Sequence, residues 1–315
     1  MTCAFDSHLG RSLSEFLRFK RSLGCSYRRA EFSLRRFERF VVSHPDLGLD
    51  RLIDAYLAGF DRCKPVTIVS ELAVLRQLCR FLRRRNAQSF IPSQRWTTQS
   101  KESSFLPYVF SPMEIRLLLD YTRSWPSPPF RARTLRVLIL VLYCTGLRFG
   151  EAVRLRLADV DLRRRVFFVA QSKGRARWVP FGSDLARAIT RYTEHRRRLA
   201  SQTPSSPLFV QADGRGYPVQ TASTLVRKLL RRIGLKPRKG RVGPRPYDFR
   251  HTFAVHRLTR WYRQRVDLHA RLPLLSAYMG HDNILGTEVY LSTTPELLQL
   301  AGNRFAARLH RKVAR

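Results

Sequence analysis

Four residues of this chain are of the types needed to attack a phosphodiester bond without a metal ion: Arg148, Arg250, His281 and Tyr290. The tyrosine follows the histidine by nine residues. A phenol serves as a nucleophile, and an arginine stays charged and forks onto two phosphate oxygens. Because the pKa of an unperturbed phenol is about 10, preorganised cations must make its oxyanion accessible. The set therefore predicts nucleophilic attack on a phosphate.

Each residue, taken alone, also has an ordinary structural explanation. Arg148 and Glu151 lie three residues apart, which is the spacing of a surface ion pair on a helix. Lys173 is explained equally well as a solvated turn lysine, and Arg250 with His251 as simple contacts to a DNA backbone. A tyrosine is most often a core aromatic. The order and spacing of the whole set, rather than any single member, indicate chemistry.

The elements that must position these residues are predicted to be mostly helices. Ser111, followed by Pro112 and with Glu114 three residues on, predicts a capped helix start. Residues 135–143 are apolar on nearly all sides, as in a buried helix that ends just before Arg148. Two β-favouring runs flank the turn that holds Lys173, which predicts a hairpin. Further helices are predicted over 183–200, 220–233, 249–263, 271–279 and 294–312.

The first 95 residues form a separate pattern. Apolar residues recur at helical intervals over 13–35, 36–42 and, most clearly, 69–84, with arginines on the opposite face. We therefore expect a small helical domain over 1–95 whose polar side is basic. The periodicity is then lost, and residues 96–108 are interpreted as a linker to a second domain over 109–315.

Composition points to a polyanionic partner. Fifty-nine lysines and arginines stand against 23 acidic residues, a net charge of +36, and nucleic acid is the commonest large polyanion. The five cysteines form no CxxC pair and no metal-binding spacing with histidine, so neither a metal nor a cofactor is expected. The longest apolar run, 137–144, is too short to span a bilayer, so no membrane partner is expected. Together with the basic charge, this predicts a cytoplasmic, nucleoid-associated protein.

Together these segments resemble the catalytic domain of the tyrosine recombinases, the phage integrase family. The match comprises TGLRxxE at 145–151, the hairpin lysine, xDxRH at 247–251, and Gly280-His281 followed by Tyr290. The likeness covers about residues 105–310. It implies a mainly α fold with a small β-sheet (α+β). A helical, SAM-like core-binding domain and the catalytic domain would form a clamp around DNA.

The resemblance also implies roles. Tyr290 is similar to the nucleophile that forms a 3′-phosphotyrosine link and frees a 5′ hydroxyl. Arg148 and Arg250 would clamp the scissile phosphate, and Lys173 would protonate the leaving oxygen. His281 would hydrogen-bond a non-bridging oxygen. The supporting residues are Glu151, which orients its neighbours, and His251.

One position departs from the family pattern. The family usually has histidine three residues before the second arginine, where this chain has Tyr247. A tyrosine hydroxyl donates and accepts hydrogen bonds but titrates far from neutrality. We expect Tyr247 to contribute a hydrogen bond, and His251 is not automatically a substitute base.

The expected function is site-specific recombination that serves integration, excision or transposition of a mobile element. The expected partners are double-stranded DNA with specific recombination sites and further recombinase subunits in a tetrameric synapse. An exchange helix over about 294–312 would dock on a neighbouring subunit, or pack on its own domain. Two alternatives remain open: relaxation of DNA like a type IB topoisomerase, and a catalytically impaired relative that only binds DNA.

Overall fold

The computed structural model describes residues 5–93, 107–125, 128–170, 176–240, 242–288, 290–291, 298–299, 302–303 and 306. The chain divides into two compact units, Met1–Phe105 and Leu106–Arg315. Lys173 and most of the expected linker and exchange helix lie outside the described residues. No helix among the residues described is long and apolar enough to cross a membrane.

The described part of the first unit contains four helices, α1 (Gly10–Ser22), α2 (Arg28–Val42), α3 (Leu49–Ala58) and α4 (Pro65–Arg83). The helix predicted over 69–84 is confirmed as α4, which buries Leu72, Leu75 and Leu78 almost completely. These leucines recur every three residues and therefore share one face of the helix. They pack with α1 and α2 into a single apolar core.

The predicted boundary between the first two helices is wrong. The apolar periodicity over 13–35 and 36–42 predicted a helix boundary near residue 35. In the structure, α1 ends at Ser22 and α2 begins at Arg28. Gly24 lies in the left-handed region with φ +78°, a conformation that stops a helix and favours glycine. Leu34 and Phe37, on either side of the predicted boundary, are both fully buried in α2.

The second unit is built around α6 (Pro129–Thr145), which packs against α8 (Ser183–Arg196) and α10 (Asp248–Arg263). Ten residues of α6 are buried on all sides, which confirms the predicted buried helix. Before it, α5 (Pro112–Tyr121) begins with the predicted capping box: the Ser111 hydroxyl accepts from the Glu114 amide, and the Glu114 carboxylate accepts from the Ser111 amide.

The sheet, as far as the described residues show it, has three short antiparallel strands in the order β1 (Val160–Asp161), β2 (Val166–Val169) and β3 (Arg177–Pro180). Phe167 faces Val179 across β2 and β3, and both side chains are buried. The predicted hairpin is therefore confirmed in its strands. Its turn, with Lys173, lies outside the part of the chain that is described.

The second unit contains further helices among its described residues. They are α7 (Phe149–Val153), α9 (Val219–Arg232), α11 (Leu268–Met279) and α12 (Leu285–Glu288). The predicted helices 183–200, 220–233, 249–263 and 271–279 correspond to α8, α9, α10 and α11, with ends that agree to within four residues. The result is a mainly α domain with one small sheet, as the sequence predicted.

Candidate active site

Arg148 stands where the buried helix α6 gives way to α7. Gly146 ends α6 in the left-handed conformation with φ +61°, and a side chain there would overlap the ring of Phe253. The turn brings Arg148 to the N-cap of α7, where its amide donates to Glu151 Oε2 at 3.0 Å. Its guanidinium donates from Nη1 to Glu151 Oε1 at 2.9 Å and from Nη2 to Gly280 O at 2.7 Å. A loop glycine and a helix cap thus fix the first arginine.

Glu151 is a buried carboxylate held between two arginines. Its side chain is 2% exposed and binds Arg148 on one oxygen and Arg177 Nη2, at 2.8 Å, on the other. Arg177 also donates from Nε to Tyr278 O at 2.9 Å. Because Arg177 is the first residue of β3 and Tyr278 lies in α11, this cluster fastens the hairpin to the end of α11.

Arg250 lies in the first turn of α10 and is almost completely buried. Its Nη1 donates to Gly146 O at 2.8 Å and its Nη2 to Met279 O at 2.7 Å. These carbonyls belong to the C-terminal ends of α6 and α11, where the helix dipole is negative. The Nε of Arg250 is buried and has no hydrogen-bond partner among the described residues. Burial and the nearby charge of Arg148 lower the pKa of this guanidinium.

His281 follows Gly280, which ends α11 with φ +69°. Its Nδ1 lies 2.7 Å from the Oγ1 of Thr287, a fully buried residue of α12. Its ring stacks on that of Tyr290 with centroids 6.2 Å apart. Burial, together with the charges of Arg250, Arg148 and Arg177, lowers the pKa of His281 to about 4. The imidazole is therefore neutral at physiological pH.

Tyr290 is 3% exposed and lies among these residues. Burial raises the pKa of its phenol, while the charge of Arg250, a hydrogen bond from Arg250 and the charge of Arg148 act in the opposite direction. The structure therefore brings together five predicted site residues, Arg148, Glu151, Arg250, His281 and Tyr290. Burial outweighs the cations, so the phenol keeps its proton at neutral pH.

Tyr247 and His251 occupy one side of this cluster. The ring of His251 contacts that of Tyr290 edge-on at 5.4 Å and that of Tyr247 at 5.0 Å. Its Nδ1 is buried without a partner in the described part of the chain, and burial lowers its pKa to about 4. Tyr247 is 41% exposed and precedes α10 at its N-cap. Of these two residues, His251 is the one whose ring contacts that of Tyr290.

Two participants were not predicted from the sequence. Arg177 was noticed only as part of a β-favouring run, and Thr287 was not noticed. No signal in the sequence links Arg177 to Glu151, because the two residues lie 26 positions apart along the chain. Nothing in the sequence around Thr287 indicates that its hydroxyl binds His281, because that contact depends on how α12 folds back on α11.

The sequence profile described as the phage integrase family matches residues 109–296 of this chain. The chain belongs to the phage integrase family, the tyrosine recombinases. It is 30% identical over 306 residues to the "Putative integrase/recombinase y4rB" of Sinorhizobium fredii (strain NBRC 101917 / NGR234). The aligned region covers 95% of this chain and 97% of that protein. It is 28% identical over 278 residues to "Tyrosine recombinase XerC" of Bacillus licheniformis, with 85% of each chain covered.

Solved structures of tyrosine recombinases share this fold. The Tn1549 transposon integrase (residues 82–397, with a Tyr-to-Phe substitution) in complex with transposon right end DNA superposes with a TM-score of 0.66 at 15% identity. The superposition covers 94% of this chain and 99% of that chain. At this identity the likeness concerns the fold, which is the mainly helical one predicted from the sequence.

Proposed function

We propose that this recombinase cuts and rejoins double-stranded DNA at specific sites through a 3′-phosphotyrosine intermediate formed by Tyr290. The observation that carries the proposal is the buried cluster in which the charges of Arg148 and Arg250 act on the phenol of Tyr290. A nucleophile with preorganised cations is what attack on a phosphodiester requires.

In the proposed cleavage step, the phenol of Tyr290 passes its proton to the neighbouring neutral imidazole of His251. Its oxygen bonds to phosphorus, and the bond to the 5′ oxygen breaks. Arg148 and Arg250 stabilise the negative charge on the non-bridging oxygens. With Nδ1 of His281 engaged by Thr287, its Nε2 is the ring atom left for a phosphate oxygen. Lys173 supplies the proton to the leaving oxygen, and Tyr247 contributes a hydrogen bond. Attack by a second 5′ hydroxyl reverses these steps and joins a new strand.

The assembly and the biological role are proposed from the family. Two duplexes would be joined in a tetramer of this chain or with related recombinase subunits, in which residues 294–312 exchange between subunits. The helical unit over 1–95 would act as the core-binding domain. Relatives named as an integrase/recombinase and as a transposon integrase support movement of a mobile element. The reaction would take place in the cytoplasm, on nucleoid DNA.

The test uses nicked suicide duplexes tiled across the gene's own locus, analysed on a denaturing gel. We expect a covalent protein–DNA adduct that is lost in Tyr290→Phe while DNA binding is retained. Tyr121→Phe is the matched control, because it keeps the ring contact with Trp125 and removes only a hydroxyl distant in sequence from the cluster. An adduct that persists in Tyr290→Phe refutes the nucleophile. Salt-sensitive binding without any adduct favours a protein that only binds DNA.

A further inference from the structure

A basic cavity of about 470 Å³ opens next to the catalytic cluster. Tyr247 lines it and also contacts His251, whose ring in turn contacts Tyr290. Phe149, the residue after Arg148, lies on another wall. The polar and charged residues that line it are Ser223, Arg227, Arg231, Lys236, Arg245 and Tyr247.

The cations that line this basic cavity donate several of their hydrogen bonds to neutral groups. Arg231 donates to the carbonyls of Pro237 and Gly240, and Lys236 to those of Val242 and Gly243, all of which are neutral groups.

Arg227 donates from Nη2 to the Ser223 hydroxyl at 2.7 Å, again a neutral partner. Arg245 is paired with a carboxylate, that of Asp248, at 2.9 Å. Four cations therefore line one cavity, and the carboxylate of Asp248 is paired with one of them.

The electrostatic consequence is visible at Lys236, whose residue is 4% exposed. Burial lowers the pKa of its ammonium group, and the charges of Arg231 and Arg227 lower it further, against the charge of Asp248. Buried like charges destabilise one another unless an anion joins them. An anion in the cavity would relieve this repulsion and raise the pKa of the lysine.

We propose that the basic cavity binds a backbone phosphate of the DNA strand that is cleaved, at a position near the scissile phosphate but distinct from it. The inference rests on the function proposed above. Each phosphate of a strand follows its neighbour by a rise of about 3.4 Å in B-DNA. A strand whose scissile phosphate meets Tyr290 therefore presents further phosphates within a few nucleotides, and the cavity adjoins that site through Tyr247 and His251. Because a phosphate contact carries no base information, the cavity sets the register of the strand and not the sequence that is recognised.

Arg227 is the residue to change. Its hydrogen bond to Ser223 stays within α9, whereas Arg231 and Lys236 also hold the loop after that helix. Arg227→Gln removes one charge from the cavity, and Arg232→Gln removes the same charge from a position of the same helix that does not line it. Both are made in the Tyr290→Phe background, so that binding is measured independently of cleavage. Urea unfolding of each variant checks that the fold is retained.

The substrates are duplexes that carry the cleavage site, each with one neutral methylphosphonate in place of a single non-scissile phosphate. On unmodified DNA we expect Arg227→Gln to lower affinity about ten-fold more than Arg232→Gln, and to reduce the salt dependence by about one phosphate contact. On one methylphosphonate duplex, the affinity of the protein with Arg227 intact should fall about ten-fold relative to unmodified DNA. The affinity of Arg227→Gln should be the same on that duplex as on unmodified DNA. The register of that duplex identifies the phosphate that is bound.

The proposal is overturned if Arg227→Gln loses the same affinity on every duplex, because its effect is then coupled to no phosphate position. The proposal is also overturned if inorganic phosphate stabilises the fold, Arg227→Gln abolishes that stabilisation, and no methylphosphonate position is coupled to Arg227. That result would assign the cavity to a free anion. The adduct assay with Tyr290 intact reports separately on the phosphotyrosine reaction. Coupling without an adduct therefore supports the cavity and not the chemistry, and an adduct without coupling does the reverse.

Discussion

Replacing Gly280 with alanine tests whether the cluster around Glu151 is a rigid support of the active site. Gly280 adopts φ +69°, and a Cβ atom there would lie 2.7 Å from Nη1 and 2.8 Å from Cζ of Arg177. An arginine at a surface would simply move away. This guanidinium is held by both oxygens of Glu151 and by Tyr278 O, so it moves only by losing hydrogen bonds.

The expected cost has two parts. An alanine in the left-handed region is destabilised by about 1–2 kcal/mol. Losing a hydrogen bond of a charged group adds about 1.5–3 kcal/mol. Gly234 provides the control, because it has φ +79° and a Cβ atom there would meet no atom of the described residues within 4 Å. Gly234→Ala should therefore show only the first cost, and Gly280→Ala should be about 2 kcal/mol less stable than that control.

Urea unfolding measures both free energies, and the adduct assay measures the effect on cleavage. Gly280 O also accepts from Arg148, so a shifted turn displaces an arginine that we propose binds the scissile phosphate. Displacements of about 1 Å commonly cost 100-fold in rate. We expect cleavage by Gly280→Ala to fall at least about ten-fold below that of Gly234→Ala at equal fractions folded. Equal stabilities of the two variants would show that Arg177 moves freely and would refute the reasoning.

Two further predictions concern the charges of the site. Glu151→Gln removes a buried carboxylate and leaves the partly buried Arg148 and Arg177 facing each other, so it should destabilise the fold by about 3 kcal/mol in urea unfolding. The exposed Glu194→Gln should change the free energy of unfolding by less than about 0.5 kcal/mol, and equal effects of the two variants would argue against a buried, paired carboxylate. Burial lowers the pKa of His251 and His281 to about 4 from the ordinary 6.5, so between these pH values the folded chain binds fewer protons than the unfolded chain. The stability that these two histidines contribute is therefore full above pH 6.5 and falls as the pH decreases toward 4. Replacing both histidines with asparagine should flatten the decline between about pH 7 and 5, and an unchanged slope would contradict the two shifts.

Much of the fold followed from local patterns. The buried helix α6, the capping box at Ser111 and the two strands of the hairpin were predicted because apolar periodicity and cap chemistry act over a few residues. The break after α1 was misplaced because the apolar spacing continues on both sides of it. Gly24 was the local signal that marks it, and α3 was not predicted although its apolar residues recur at helical intervals.

The candidate site was predictable in its members and not in its supports. Arg148, Arg250, His281 and Tyr290 could be selected because each lies in a recognisable segment. The contacts of Arg177 with Glu151 and Tyr278 join residues 26 and 101 positions apart, and no local pattern reports such distances along the chain. The role of Lys173 remains a prediction, as do the roles assigned to the other site residues.

Arg250 illustrates how chemistry and folding share one side chain. Its two Nη groups hold the carbonyl ends of α6 and α11, the two turns that present Arg148 and His281. A variant that loses this arginine therefore loses the alignment of those turns as well as a charge. Selection to stay folded would preserve Arg250 in a descendant that had given up recombination, whereas Tyr290, whose ring is buried, could become phenylalanine and lose only its hydroxyl. In surveys of related genes, an intact arginine is thus weak evidence of activity, and the tyrosine is the informative position.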